Sequence, residues 1–274
     1  MNGDLSGHFR DLCVLLTEAP MYLMAKSLYY AMKGCGTNEN TIIEIIVGCT
    51  SDELKKVKEA YNFVLRDKGI KDPSRSLESD IRAETKGYFG KALLKILQAD
   101  TKEPSAQQLE NLKRQGPDAI VNKIEVQDVV SKLTKLEAKK AGANDKILMD
   151  LLTNKNIWDL AAIAKGYEKA AGKTLSKFIE EQADGDFEAL LQAMIQHAIN
   201  RPKFYSELLF KSMDGSGTRD FLLMRIMILR SEIDLGNIKE QFDYDHKSLE
   251  EWIKGDTSGY YERLLLTILG VAKN

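Results

Sequence analysis

Four segments of this chain open alike and continue with the same spacing: DLSGHFRDLCVLL from Asp4, ETKGYFGKALLKIL from Glu84, QADGDFEALLQAMI from Gln182 and DTSGYYERLLLTIL from Asp256. Counted from Gly7, Gly87, Gly185 and Gly259, an apolar residue follows at offsets two, six and nine in every copy. The resulting stripes are Phe9/Cys13/Leu16, Phe89/Leu93/Ile96, Phe187/Leu191/Met194 and Tyr261/Leu265/Ile268. These offsets lie on one face of an α-helix, so each segment reads as a glycine-started amphipathic helix with a buried stripe. A unit of this kind must bury its face against neighbouring units, and this limits the fold more than composition does.

Two further matches recur in the same order. CTSDELKKVKEAY, NKNIWDLAAIAKGY and RSEIDLGNIKEQF form one set, and RSLESDI, KTLSKFI and KSLEEWI the other. Both read as additional helices of the same unit. The repeat glycines are spaced 80, 98 and 74 residues apart, which implies a basic period in the seventies with inserted material in the middle copies. Two insertions are visible: RDKGIKDPSR, Arg66 to Arg75, broken by Gly69 and Pro73, and a polar linker from Thr101 to Pro117, in which QQLENLKRQ has the length of a short helix. The organisation expected is 1–19 as the C-terminal part of a first repeat, 20–100 as repeat two, 101–117 as a linker, 118–199 as repeat three and 200–274 as repeat four. Only 5 prolines occur, and Lys, Glu, Leu, Ile and Ala fill the stretches between glycines, so the fold class expected is all-α.

With 39 basic and 41 acidic residues the chain has no global positive field to draw in nucleic acid or an anionic membrane unaided. Cys13, Cys35 and Cys49 are odd in number and lack metal-ligand spacing, which points to free thiols and an intracellular setting. No apolar run reaches the ~20 residues that span a bilayer. The start MNGDLSG is unlike a signal peptide, so a soluble or peripheral protein is expected. His8, His197 and His246 fall at unrelated repeat positions, and an enzyme reading has no cluster of acid, base and nucleophile behind it. Trp158 and Trp252 lie in helical apolar patterns and read as core.

A second signal lies in the loops MKGCGT, Met32 to Thr37, and MDGSGT, Met213 to Thr218. Alone, the first has an ordinary explanation: Gly34 and Gly36 allow a tight turn, and Thr37 caps the helix through Ile42, Ile43 and Ile46. The recurrence of the loop at the same point of the repeat argues for more. So does a carboxylate three residues before the repeat glycine, as Asp4, Glu84 and Asp256, with Gln182 in the remaining copy. Calcium takes six to eight oxygens, largely carbonyls and carboxylates. Glycines let several carbonyls face one point, and the acid must come from elsewhere in the repeat.

An M-K-G-x-G-T loop with an acid at a later helix junction, together with GDTSGYYERLLL and RSEIDLGNI, resembles the annexins over nearly the whole chain. The resemblance implies repeats of five helices packed into a curved disc, with Ca2+ as the cofactor. It implies main ligands from the carbonyls of Met32, Gly34 and Gly36 with the Glu84 side chain, and from Met213, Gly215 and Gly217 with Asp256. Secondary sites would use Thr37 with Glu39, Thr218 with Asp220, and Glu262. Lys33, Lys86, Arg219 and Lys254 flank the loops as candidate phosphate contacts, against the ordinary reading of solvated lysines. The side chains of Met32 and Met213 are left open between interfacial contact and packing. In repeat three Lys140 stands for the first glycine, Ala143 for the threonine and Gln182 for the acid, so no main site is expected there.

The function expected is calcium-dependent binding to anionic, phosphatidylserine-like membranes, with a cytoplasmic protein turning peripheral as calcium rises. Unconventional secretion or surface exposure is left open. A rival reading is a calcium-independent helical scaffold for cytoskeletal or other protein partners. Repeat one would lack its first helices and their loop, exposing apolar surface that favours self-association.

Overall fold

The computed structural model describes residues 6–101, 104–136 and 142–271. Its helices in chain order are α1 (Gly7–Leu16), α2 (Pro20–Ala31), α3 (Glu39–Gly48), α4 (Ser51–Asp67), α5 (Leu77–Glu84), α6 (Gly87–Leu97), α7 (Ala106–Gln115), α8 (Lys123–Thr134), α9 (Asp145–Leu152), α10 (Ile157–Ala171), α11 (Leu175–Gln182), α12 (Gly185–Ile199), α13 (Arg201–Met213), α14 (Asp220–Arg230), α15 (Leu235–Glu240), α16 (Leu249–Asp256) and α17 (Gly259–Ile268). Among the described residues there is no strand, only an isolated bridge between Tyr244 and Lys247. Three runs of five helices follow one another, α2 to α6, α8 to α12 and α13 to α17. The short α7 and a 3-10 turn at Pro117–Ala119 lie in the polar linker.

Local chemistry starts and stops these helices. Thr50 and Glu53, Ser76 and Ser79, Ser105 and Gln108, and Ser248 and Glu251 form capping boxes that satisfy the free N–H groups opening α4, α5, α7 and α16. Each repeat glycine has a left-handed φ, +59° at Gly7, +61° at Gly87, +56° at Gly185 and +66° at Gly259. The chain thus turns sharply into α1, α6, α12 and α17 where a Cβ would be strained, which explains the invariant glycine of the repeat.

Two compact units carry separate cores. In the unit 24–199, α12 packs on α3, α6, α10 and α11, while α8 packs on α10. Leu28, Ile42, Val57, Tyr61, Leu93, Leu148, Ile163 and Leu191 are fully enclosed there. Burying a side chain of this size contributes about 1.5–3 kcal/mol. In the unit formed by α1 and the residues from Asn200 onward, α13 packs on α14, α15 and α16, and α1 packs on α14 and α17.

The predicted stripes hold at offsets two and six in α6, α12 and α17, where Phe89, Leu93, Phe187, Leu191, Tyr261 and Leu265 are buried. At offset nine only Met194 is buried; Ile96 and Ile268 are half-buried, and the next residues, Leu97 and Leu269, take the inward place. In α1 the enclosed residues are instead Leu12 and Leu15, and Leu16 is exposed; this helix packs on α14 and α17, and its inward face is rotated. Trp158 and Trp252 are half-buried rather than core. Trp252 packs edge-on against Phe210 and donates its indole N–H to the Tyr244 carbonyl at 3.1 Å, which keeps one edge at the surface.

Candidate calcium loops

Each candidate loop leaves the C-terminus of one helix and closes on the N-terminus of the next. Between α2 and α3 the Asn38 N–H reaches back to the Ala31 carbonyl at 2.8 Å; between α13 and α14 the Arg219 N–H reaches the Ser212 carbonyl at 2.7 Å. Inside these closures Gly34 and Gly36 have φ of +111° and +96°, and Gly215 and Gly217 have +107° and +94°. Two separate sequences thus make the same pair of left-handed turns. Among the described residues no hydrogen bond ends on the carbonyls of Met32, Gly34, Gly36, Met213, Gly215 or Gly217. These oxygens are available, in a loop whose glycines are exposed to solvent.

The acid arrives from the fourth helix of the same run. Glu84 ends α5 and Asp256 ends α16. The next residue, Thr85 or Thr257, is extended, and its hydroxyl bonds back to Ile81 or Ile253 at 2.6 and 2.7 Å, which fixes the junction. Thr37 then joins loop to acid, its hydroxyl donating to the Glu84 carbonyl at 3.3 Å and to Glu84 Oε2 at 3.4 Å. Thr218 does the same at 3.2 Å to the Asp256 carbonyl and 2.5 Å to Oδ2. The expected helix cap by Thr37 is therefore incorrect: Asn38 is the cap of α3, its side chain accepting from the Thr41 N–H at 3.0 Å. The threonine is drawn away by a partner 47 residues distant in the chain.

Met32 and Met213 are 5% and 1% exposed, so their side chains pack inward and only their carbonyls face the loop. Glu39 and Asp220 each open a helix, α3 and α14, where a carboxylate also complements the helix dipole. Glu262 lies in the first turn of α17 and is half-buried. Of the flanking cations, Lys86 and Arg219 are exposed, Lys33 lies near two tyrosine rings, and Lys254 donates to Glu250 at 2.6 Å.

The third loop is built differently. Gly142 has φ of +87°, and its N–H bonds to the Gln182 carbonyl at 2.8 Å. The Asn144 amide donates to Gln182 Oε1 at 2.6 Å, with both residues 1% exposed. An amide pair thus links loop and junction here, through the residue after Ala143, where the other copies use a threonine and a carboxylate. Asp145, the first residue of α9, has its pKa raised by burial and by the charge of Asp184. Lys140 and Asp4 lie outside the described residues.

One neighbourhood escaped the sequence reading. Beside the fourth-repeat loop a cleft of about 820 Å³ is lined by His8 and Phe9 of α1, Thr218, Asp220, Asp256 and Tyr260. His8 Nε2 lies 3.4 Å from Asp220 Oδ2. Burial, with the charges of Asp220 and Asp256, pushes the Tyr261 phenol up. No spacing rule links residues so far apart in the chain.

Among the described residues no three His, Cys, Asp or Glu side chains gather as a metal cluster. The donor set on offer is carbonyls plus one carboxylate per loop, all hard oxygens, which suits calcium and not zinc or copper.

The annexin sequence pattern matches residues 24–96, 130–194 and 204–268. The chain is 38% identical over 271 residues to annexin A13 of Schistosoma japonicum, covering 98% of this chain and 77% of that protein. To annexin B22 of Schistosoma mansoni it is 40% identical, covering 98% and 74%. The crystal structure of calcium-bound annexin (Sm)1 is similar with a TM-score of 0.91 at 38% identity, covering 99% of this chain and 75% of that one.

Proposed function

The chain belongs to the annexin family, whose members bind phospholipid in a calcium-dependent manner, and from that premise we propose that its second- and fourth-repeat loops are its working calcium sites. The main ligands are the carbonyls of Met32, Gly34 and Gly36 with Glu84, and those of Met213, Gly215 and Gly217 with Asp256. The observation that supports this most is the duplicated construction: paired left-handed glycines, free carbonyls and a threonine-held carboxylate, made twice from different sequences. Thr37 with Glu39, Thr218 with Asp220, and Glu262 serve as weaker secondary sites. Repeat three, with its Asn144–Gln182 amide pair, holds no main site.

The protein's oxygens fill only part of a calcium shell, which leaves positions for a lipid phosphoryl oxygen. Bound calcium supplies about two positive charges per site to a chain whose own net charge is −2. Anionic headgroups of the phosphatidylserine type are favoured for that reason, with Lys33, Lys86 and Arg219 placed to meet phosphates. Lys254, already paired with Glu250, contributes less. No helix among the described residues is long and apolar enough to cross a membrane, in keeping with peripheral association of a cytoplasmic protein when calcium rises. The functional units on this reading are 20–100, 118–199 and 200–274.

Vesicle sedimentation with and without calcium tests the reading. The Glu84→Gln, Asp256→Asn double variant is expected to lose calcium-dependent binding to phosphatidylserine vesicles. Sedimentation equal to the parent's would show that these carboxylates are not ligands.

A further inference from the structure

The two most exposed phenylalanine or tyrosine side chains among the described residues stand beside the fourth-repeat loop. Phe221 is 61% exposed and Tyr260 68%. Each is the second residue of a helix, α14 or α17, that begins just after the oxygens offered to calcium: Phe221 comes three residues after Thr218, and Tyr260 four after Asp256. A Cα–Cβ bond tilts toward the N-terminus of its helix, so both rings lean toward the loop. The two helix starts are tied together, since the Thr218 hydroxyl donates to Asp256 and α14 packs on α17. Tyr260 also lines the cleft that Thr218, Asp220 and Asp256 share. Its ring centroid lies 5.6 Å from that of Phe9 and 5.4 Å from the guanidinium of the exposed Arg263.

This arrangement belongs to one loop. The same positions hold Asn40 and Tyr88 around the second-repeat loop, and Lys146 and Asp186 in the third repeat. Asn40 is polar, and Tyr88 is half-buried with its ring 6.0 Å from that of Phe187. Around the fourth-repeat loop, exposed rings stand with the exposed Arg219 and Arg263 next to a set of free carbonyls. That mixture suits the boundary of a bilayer, where aromatic side chains sit at headgroup level and cations meet phosphates.

We propose that Phe221 and Tyr260 form an aromatic anchor that enters the interfacial layer of the bilayer once calcium has brought the fourth-repeat loop to the headgroups. The inference rests on the function proposed above, because calcium on that loop is what carries the rings to the surface. It makes the two loops unequal: the second meets lipid without such an anchor, and the fourth adds buried apolar area to the calcium bridge. Salt screens the attraction of charges and does not screen that apolar contribution.

Quenching of a reporter tryptophan tests this. Phe221→Trp is mixed with phosphatidylcholine vesicles containing phosphatidylserine and a lipid with a nitroxide near the headgroup end of its acyl chain. Calcium is expected to quench its fluorescence beyond the background that Trp158 and Trp252 set in the parent, and chelator to restore it. Ile233→Trp is the control and should stay unquenched. Ile233 is 59% exposed beyond the far end of α14, about 15–20 Å along the axis from Phe221. Replacing both rings, Phe221→Ser with Tyr260→Ser, should weaken calcium-dependent vesicle binding about tenfold, by the same factor at low and high salt. Sedimentation of Phe221→Trp with calcium but without quenching would overturn the anchor and leave the calcium sites standing. A parent that does not sediment with calcium would sink both readings. An undiminished vesicle affinity of the double serine variant also refutes the anchor, and so does calcium-dependent self-association without vesicles that the serines abolish, which would make a second copy the partner.

Discussion

Replacing Gly217 by alanine separates the work of the backbone from that of the side chains. Its φ is +94°, beyond what an L side chain readily adopts, and nothing lies within 4 Å of where the new Cβ would sit. No clash contributes, so the cost is backbone strain alone, about 1–3 kcal/mol. The loop can relieve that strain by rotating toward negative φ, which turns the carbonyls at this bend away from their common focus. Calcium binding must then restore the strained form, and at tenfold per 1.4 kcal/mol the affinity of this loop falls about 5- to 140-fold. The assay is calorimetric calcium titration in a Glu84→Gln background, so that only the fourth-repeat loop is read. Gly172→Ala is the control, since Gly172 has φ of +70° at the end of α10, also with open space around it. It should lower the melting temperature and leave the calcium midpoint alone. If Gly217→Ala titrates within about twofold of its parent while the control is destabilised, left-handed glycine backbone is not what aims the carbonyls.

Two further outcomes follow from burial. Met213→Ala, at a side chain 1% exposed, should cost about 2–5 kcal/mol in denaturant unfolding, with little change in the calcium midpoint of the folded protein; a selective loss of vesicle binding at unchanged stability would contradict the inward packing. Asp145→Asn should raise the melting temperature at neutral pH. Burial and Asp184 raise the Asp145 pKa in the folded state, so its carboxylate destabilises the fold above that pKa and has no effect where it is protonated in both states. The gap between variant and parent should close as pH falls toward the ordinary carboxylate range, and a gap independent of pH would refute the assignment.

The helices were legible because their signals are local. Caps such as Thr50 with Glu53 and the 3.6-residue periodicity act within a few turns, and so does the left-handed glycine that opens α6 and α17. The loop pattern was legible for a similar reason, since glycine spacing within six residues sets the backbone. Errors arose where a residue chooses between a near partner and a far one. Thr37 had a local use as a helix cap and takes a distant one at Glu84. Leu16 belongs to a stripe that holds at its first two positions in the other copies and not in α1, and it is exposed, because the neighbours of α1 decide which face is inward.

The sequence by itself determined the repeat, the all-α class and the two glycine-spaced loops, because periodicity and backbone freedom are written into short stretches. Only the tertiary structure decided that the Met32 and Met213 side chains point inward, that Asn144 occupies Gln182, and that His8 meets Asp220. Each of these joins chain segments whose closure is set by packing across the fold, which no local pattern encodes.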